Sequence, residues 1–289
     1  MSRKQLSSSA VQTRDEKRDR DAASIQSVER ALDILFLLVE GNGAMTVSEI
    51  AARMDVHVST ASRLLSTLAS QNVVAQSRDG YRLGLGLLRL THVVLNELHI
   101  RTLAYPHIQQ LCQATHETIY LATLFEGEEL FLDQVEPEES GTQTNWIGRI
   151  IPAHTASGGK VLLAYLSDEE LEQYLQRVLT ANTHATITDP DQLRVQLRQV
   201  REQGYAISRD EYLVGFGSVA APIFDRKQQN VGVVALSGLS ARLSPSALSQ
   251  LAPHVVATAN VISLALGYSM KGNTSNGSRP TDSYRLTHH

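Results

Sequence analysis

The sequence predicts an α+β protein in two parts: an N-terminal winged helix-turn-helix, and a larger α+β domain joined to it by a linker helix. Three observations predict it. Within residues 25–84, three amphipathic helical patterns are followed by a compact hairpin signal. From residue 105 to 267, strand-like runs alternate with capped helical runs over a length that can build its own core. Polar segments, 1–24 and 268–289, flank these two parts.

The first helix is expected in "SVERALDILFLLVEGNG", where Val28, Ala31, Leu32, Leu35, Leu38 and Val39 repeat at helical spacing and Gly41 offers a stop. "TVSEIAARM" opens with Thr46 and has Glu49 three residues later, the pattern of a capping box, with Ile50, Ala51 and Met54 facing inward. After the turn "DVHV" comes "VSTASRLLSTLASQ", with Ala61, Leu64, Leu65 and Leu68 as its apolar stripe. "VVAQSRDGYRLG" reads as a hairpin, with strands near 73–76 and 81–83 and Asp79-Gly80 as the turn. Residues 85–104 read as one linker helix that also offers a face to a partner subunit. Pro106 marks its end and the first turn of the next helix.

Further on, "ETIYLATLFEGEELFLDQVE" predicts two strands around a Glu-Gly turn. Ser167 with Glu170, Asp189-Pro190 and Ser244-Pro245 predict three helix starts, and Gly204 predicts a stop. Strands are expected at 205–209, 218–224 and 231–238.

Composition limits the function classes. The 289 residues carry a net charge of −4, 42% hydrophobic and 19% charged residues, so any nucleic-acid contact must come from a local surface. The single cysteine, Cys112, excludes an internal disulfide framework and a cysteine-based zinc site, and fits a reducing cytoplasm. The first residues lack the apolar core of a secretory signal. No apolar run is expected to reach the ~18–20 residues of a membrane span. Residues 1–24 read as a disordered arm, either DNA-seeking or simply solvated.

The third helix carries the most specific signal. Its polar face holds Ser59, Thr60, Ser62, Arg63, Ser66 and Thr67, and residues 56–77 contain no Asp or Glu. Short hydroxylated side chains let a helix approach a duplex closely, and an arginine reads guanine with two hydrogen bonds. Arg78 and Arg82 fall on the wing, and Thr46 and Ser48 at the start of the second helix complete the candidate DNA-contacting set. A helix-turn-helix also serves as a protein–protein module, and Ser59 could simply cap its helix.

In the second domain, "HTASGGK" precedes the apolar run "VLLAYL". Ser157 is placed as the N-cap. Gly158 and Gly159 permit either close approach of an anionic ligand to the first turn or close packing alone. The segment is not a phosphate-binding P-loop, because His154 replaces the first required glycine and Val161 follows the lysine. Trp146, Tyr120 and His154 are candidates for lining the site or for the core. The sequence has no Gly-x-Ser-x-Gly elbow and no His/Glu pair at zinc-protease spacing. The chain therefore reads as a non-enzyme with no metal or cofactor. Its rival is a sensor or hydrolase carrying a helix-turn-helix interaction module.

Four segments together carry a family resemblance. "SVERALDILFLLVEGNGAMTVSEIAARMDVHVSTASRLLSTLASQNVVAQSRDGYRLGLGLLRL" resembles the DNA-binding domain of the IclR family of bacterial transcriptional regulators. "IGRIIPAHTASGGKVLLAYL", "LRQVREQGYAISRDEYLVGFGSVAAPIFD" and "VGVVALSGLSARLS" resemble its effector-binding domain in the same order. The resemblance implies a GAF-like effector-binding domain at 105–267, operator binding as a homodimer or dimer of dimers, and control by a small metabolite, with repression the commoner outcome. By the same resemblance, effector contacts fall at Ile151, Ser157, Gly158, Ser208, Ser218, Ala235 and Ser237. Ser208 stands where an acidic residue is common and Ser218 where Cys is frequent, so no known effector is transferred. Strand alternation puts Ala235 and Ser237 on one face and separates Ser208 from Arg209. The effector expected is a small organic acid, aromatic acids included, held by the N–H groups of 157–159 and the serines.

Overall fold

A computed structural model describes residues 25–41, 43–138 and 144–269, with the side chains of 95–97 left aside. The arm at 1–24 and most of the tail expected at 268–289 lie outside these residues. The chain divides into two compact units that part between Glu97 and Leu98.

The first unit begins with α1 (Gln26–Glu40), α2 (Val47–Arg53) and α3 (Val58–Ser70). The hairpin β1 (Val74–Ser77) and β2 (Gly80–Leu83) follows, and α4 (Leu87–Glu97) ends the unit. Ile34 and Leu38 of α1, Ile50 and Ala51 of α2, Ala61 and Leu65 of α3, and Val74 of β1 form one buried cluster. The capping box at α2 is present: Thr46 Oγ1 accepts from Glu49 N–H, and Glu49 accepts from Thr46 N–H. The hairpin loop is Arg78-Asp79 rather than Asp79-Gly80, since Ser77 pairs with Gly80. Gly80 has a different job. At φ +129° its backbone lies against Met45, and a Cβ would stand 2.4 Å from the Met45 carbonyl oxygen. That approach lets Met45 bridge to Tyr81 as a short third strand.

The apolar stripe expected on α1 is really two stripes. Leu38 is buried, but Val28, Leu32 and Val39 are exposed, and Phe36 lies with them at 67% exposure. Only part of a helix this short can reach a core built from two small helices, and the remaining apolar face is exposed among the described residues.

The linker also differs from expectation. Residues 85–104 do not form one helix: Leu98 leaves helical geometry, and α5 (His99–Thr115) begins there. Pro106 lies inside α5 and does not end a helix. Pro106 and Thr102, whose carbonyl loses its usual donor four residues on, are both on the exposed side of α5.

The second unit adds β3 (Thr118–Phe125), β4 (Glu128–Val135), β5 (Ile150–Ile151), α6 (Ser157–Ala164), α7 (Asp168–Leu175), α8 (Pro190–Gln203), β6 (Ala206–Arg209), β7 (Phe216–Phe224), β8 (Asn230–Leu239) and α9 (Pro245–Ala265). The strands form a six-stranded antiparallel sheet in the order β5-β4-β3-β8-β7-β6. Glu126 and Gly127 turn β3 into β4, both at positive φ, as a two-residue hairpin demands. Side chains alternate across the sheet. Ile119, Leu121, Val219, Ala221, Val234 and Leu236 share a core with α5 and α9. Ala220, Val233 and Ala235 share the other core with α6, α7 and α8. Contrary to the sequence expectation, α9 is long and apolar enough to cross a membrane by length and composition. Its apolarity has a use within the fold, because Leu248, Ala252, Val255, Ala259 and Ile262 pack in the first of these cores.

Candidate functional site

The first surface is the outer face of α3. Its leucines point to the core, so Ser59, Ser62, Arg63, Ser66 and Thr67 are left exposed, while Thr60 is half-buried. Thr46, Ser48, Arg78 and Arg82 are also exposed. His57, not Ser59, caps the helix. The Ser59 N–H donates to His57 Nδ1 at 3.2 Å and the Ser59 hydroxyl lies 2.7 Å from the same nitrogen. With Nδ1 accepting, the neutral ring carries its proton on Nε2. The Thr67 hydroxyl donates to the Arg63 carbonyl at 3.0 Å, a local bond that leaves the oxygen's lone pairs outward. The Thr46 hydroxyl belongs to the capping box. Arg63, Ser62 and Ser66 are the polar groups of α3 least committed to the protein itself.

The second site is a cavity of about 910 Å³ between the inner face of the sheet and the start of α6. Seven residues carried over from the family line it: Ile151, Ser157, Gly158, Ser208, Ser218, Ala235 and Ser237. Register explains the grouping. Ser208 pairs with Ser218, Ser218 with Ser237, and Ser237 with Thr118, which gives a row of hydroxyls across four strands. Ser157 Oγ donates to Ser218 Oγ at 2.8 Å, Ser208 to the Thr155 carbonyl at 3.3 Å, and Ser237 to the Gly217 carbonyl at 3.2 Å. Tyr120, Phe131, Trp146 and Tyr212 stand edge-on or tilted to one another, with ring centroids 5.2–5.9 Å apart, and form an aromatic wall.

Two placements, of Ser157 and Gly159, differ from the sequence expectation, and for His154 the structure takes the core role of the two left open. Ser157 is the first residue of α6, and Ala156 is the N-cap. Gly159 does not line the cavity: a Cβ on it would stand 2.1 Å from the Ala153 carbonyl oxygen, so it serves close packing. His154 is also outside the lining. It is buried, with Nε2 3.0 Å from the Thr180 carbonyl and Nδ1 3.1 Å from the Tyr174 hydroxyl. Arg209 is exposed while Ser208 is buried, as alternation requires.

The cavity also holds acids that the sequence reading missed. Glu129 of β4 is 1% exposed, and its Oε2 accepts the Gly159 N–H at 2.8 Å. Burial pushes its carboxyl up to about 7, against the lowering effect of that N–H. Glu211 binds Lys160 Nζ with both oxygens at 2.6 Å, and both residues are buried. Glu117 accepts a two-point grip from Arg242, at 3.0 and 2.8 Å. The signal for Glu129 was its position two residues before Phe131 on an inward-facing strand register.

A winged helix-turn-helix with an acid-free outer helix, followed by an α+β domain around a cavity with polar and aromatic walls, defines a ligand-responsive regulator of transcription. Residues 27–78 match the IclR helix-turn-helix domain, and residues 92–264 match the bacterial transcriptional regulator IclR C-terminal domain. The chain belongs to the IclR family and is a DNA-binding transcriptional regulator. It is 32% identical over 247 residues to the HTH-type transcriptional regulator XynR of Escherichia coli, covering 84% of this chain and 98% of XynR. It is 29% identical over 248 residues to the transcriptional repressor IclR of Escherichia coli, covering 84% of this chain and 90% of that protein. Among solved structures, an IclR homologue from Microbacterium hydrocarbonoxydans complexed with 4-hydroxybenzoate aligns with TM-score 0.71 and 26% identity, covering 83% of this chain and 98% of that one.

Proposed function

We propose that this chain represses transcription by seating α3 in the major groove of an operator and releases it when a small organic acid fills the cavity. Arg63 reads base edges, with Ser59, Thr60, Ser62, Ser66 and Thr67 around it. Thr46, Ser48, Arg78 and Arg82 hold the flanking backbone. The observation that carries this reading is the outward face of α3, exposed and free of acids while its leucines fill the core.

The effector's carboxylate meets the N–H groups of Ser157 and Gly158, the first donors of a helix that has no earlier turn to satisfy them. Ser157 and Ser218 supply hydroxyls, and the aromatic wall takes the apolar body. The relative bound to 4-hydroxybenzoate supports this class of ligand. A second copy covers the exposed stripe Val28, Leu32, Phe36 and Val39 of α1, so that paired α3 helices meet half-sites about one turn, ~34 Å, apart.

The test is a labelled fragment from upstream of the chain's own gene, titrated with full-length protein with and without small carboxylates. The reading expects binding that weakens steeply with salt and is lost on addition of at least one acid. A protein that shifts no fragment is the interaction module of the rival reading.

A further inference from the structure

Glu129 is a buried carboxylate inside the cavity whose chemistry the repressor reading leaves unused. β4 carries it opposite Ile151 of β5. Its Oε2 holds the Gly159 N–H, and no other hydrogen bond to the carboxylate is found among the described residues. Its Oε1 lies over Gly158, where a Cβ would be 2.0 Å away. The start of α6 therefore already carries an anion supplied by the protein. The nearby cations are committed, Lys160 to Glu211 and Arg242 to Glu117. The other titratable groups lining the cavity are Cys112 of α5, Tyr120 on β3, His116 and Glu117 before it, Glu136 and Glu138 after β4, and Glu211 and Tyr212 after β6. β5 brings only Ile150 and Ile151, and His154 of the turn before α6 is bonded to Tyr174 and Thr180.

We infer that Glu129 takes up a proton when the effector's carboxylate enters the cavity, and that its O–H then donates to that carboxylate at the start of α6. This rests on the organic-acid reading above. A second carboxylate at the Ser157 and Gly158 N–H groups would face the first with no unpaired lysine or arginine lining the cavity among the described residues, and two adjacent buried carboxylates do not both stay ionised. A proton from solvent turns the repulsion into a charge-assisted hydrogen bond, while Gly159 N–H keeps its hold on the other oxygen. The burial that lifts the Glu129 carboxyl to about 7 makes that proton available near neutral pH. Glu129 thereby sets specificity: it admits an acid together with a proton.

The test is calorimetry on the full-length chain with a panel of aromatic, hydroxylated and short aliphatic carboxylates, 4-hydroxybenzoate among them, each beside its neutral amide. Two buffers of different ionisation enthalpy report proton uptake. With the carboxyl at about 7, Kd rises about tenfold between about pH 6 and about pH 8, a range where the ligands stay ionised. Glu129→Gln, whose amide donates at any pH, binds the same acid with equal Kd at both. Tighter wild-type binding at the higher pH together with weaker binding by Glu129→Gln overturns the inference, because Glu129 would then be accepting from an effector hydroxyl. Binding without proton uptake or pH dependence also overturns it. If Glu129→Gln does not fold, the wild-type buffer series decides alone. A panel in which no carboxylate binds either protein rejects the organic-acid reading itself, and the inference with it.

Discussion

Ser157 Oγ donates to Ser218 Oγ across 2.8 Å, so the first residue of α6 is tied directly to the first half of β7. The contact joins the two walls of the cavity. A ligand that accepts from either hydroxyl must compete with this bond or extend it.

Ser157→Ala removes the donor without disturbing the helix start, since alanine is well suited to the first turn. The expected cost in stability is about 0.5–1.5 kcal/mol, read as a shift in the urea midpoint. Binding of an acid effector should weaken by more than that, because the alanine also removes a ligand contact. Unchanged effector affinity would place the carboxylate elsewhere in the cavity.

Gly159→Ala tests the packing role. A Cβ would meet the backbone of Ala153 at 2.1 Å, and backbone cannot swing away as a long side chain can. We expect a loss on the order of 1–3 kcal/mol by chemical denaturation. A variant of wild-type stability would show that the turn before α6 relaxes freely.

On the proposed pairing of two copies through α1, Phe36→Glu should make the protein monomeric. Phe36 is 67% exposed on α1, so the charge costs little within the chain but would be buried by a second copy. Light scattering on full-length protein measures the mass, and circular dichroism should show unchanged helix content. A variant that stays dimeric would move the interface away from this stripe.

Glu129 also sets a pH dependence of stability. Its folded carboxyl is raised to about 7 from an ordinary 4.5, so between these values the folded chain binds more protons than the unfolded one. This contribution to stability is greatest at low pH, falls as pH rises through that window and is flat above it. Glu129→Gln removes the loss and should gain on the order of 1–3 kcal/mol relative to wild type between about pH 5 and about pH 8. Melting temperatures at the two ends of the window check it.

Much of this molecule was legible from local chemistry. Thr46, Ser167, Asp189 and Ser244 each cap the helix expected of them, because a cap is decided within one turn of chain. The serines Ser208, Ser218 and Ser237 follow from the family likeness; strand alternation adds only that Ala235 and Ser237 share a face and that Ser208 and Arg209 do not. What escaped depends on partners distant in sequence. The exposed half of the α1 stripe looks the same in sequence as the buried half. Gly159 reads as a ligand-facing glycine until Ala153 is seen against it. Glu129 sits beside Glu128 in the sequence, and only the register of β4 sends one of the two acids into the cavity. The break at Leu98 has no glycine or proline to announce it.

The most direct measurement compares wild type, Arg63→Ala and Arg82→Ala by fluorescence anisotropy on an operator fragment and on a scrambled duplex of the same length. With α3 as the reading helix, Arg63→Ala should cost about 1–3 kcal/mol on the operator and little on the scrambled duplex, while Arg82→Ala weakens both alike. If Arg63→Ala leaves the ratio of the two affinities at its wild-type value, the outward face of α3 does not read the operator, and the account of this chain as a regulator acting through that face is wrong.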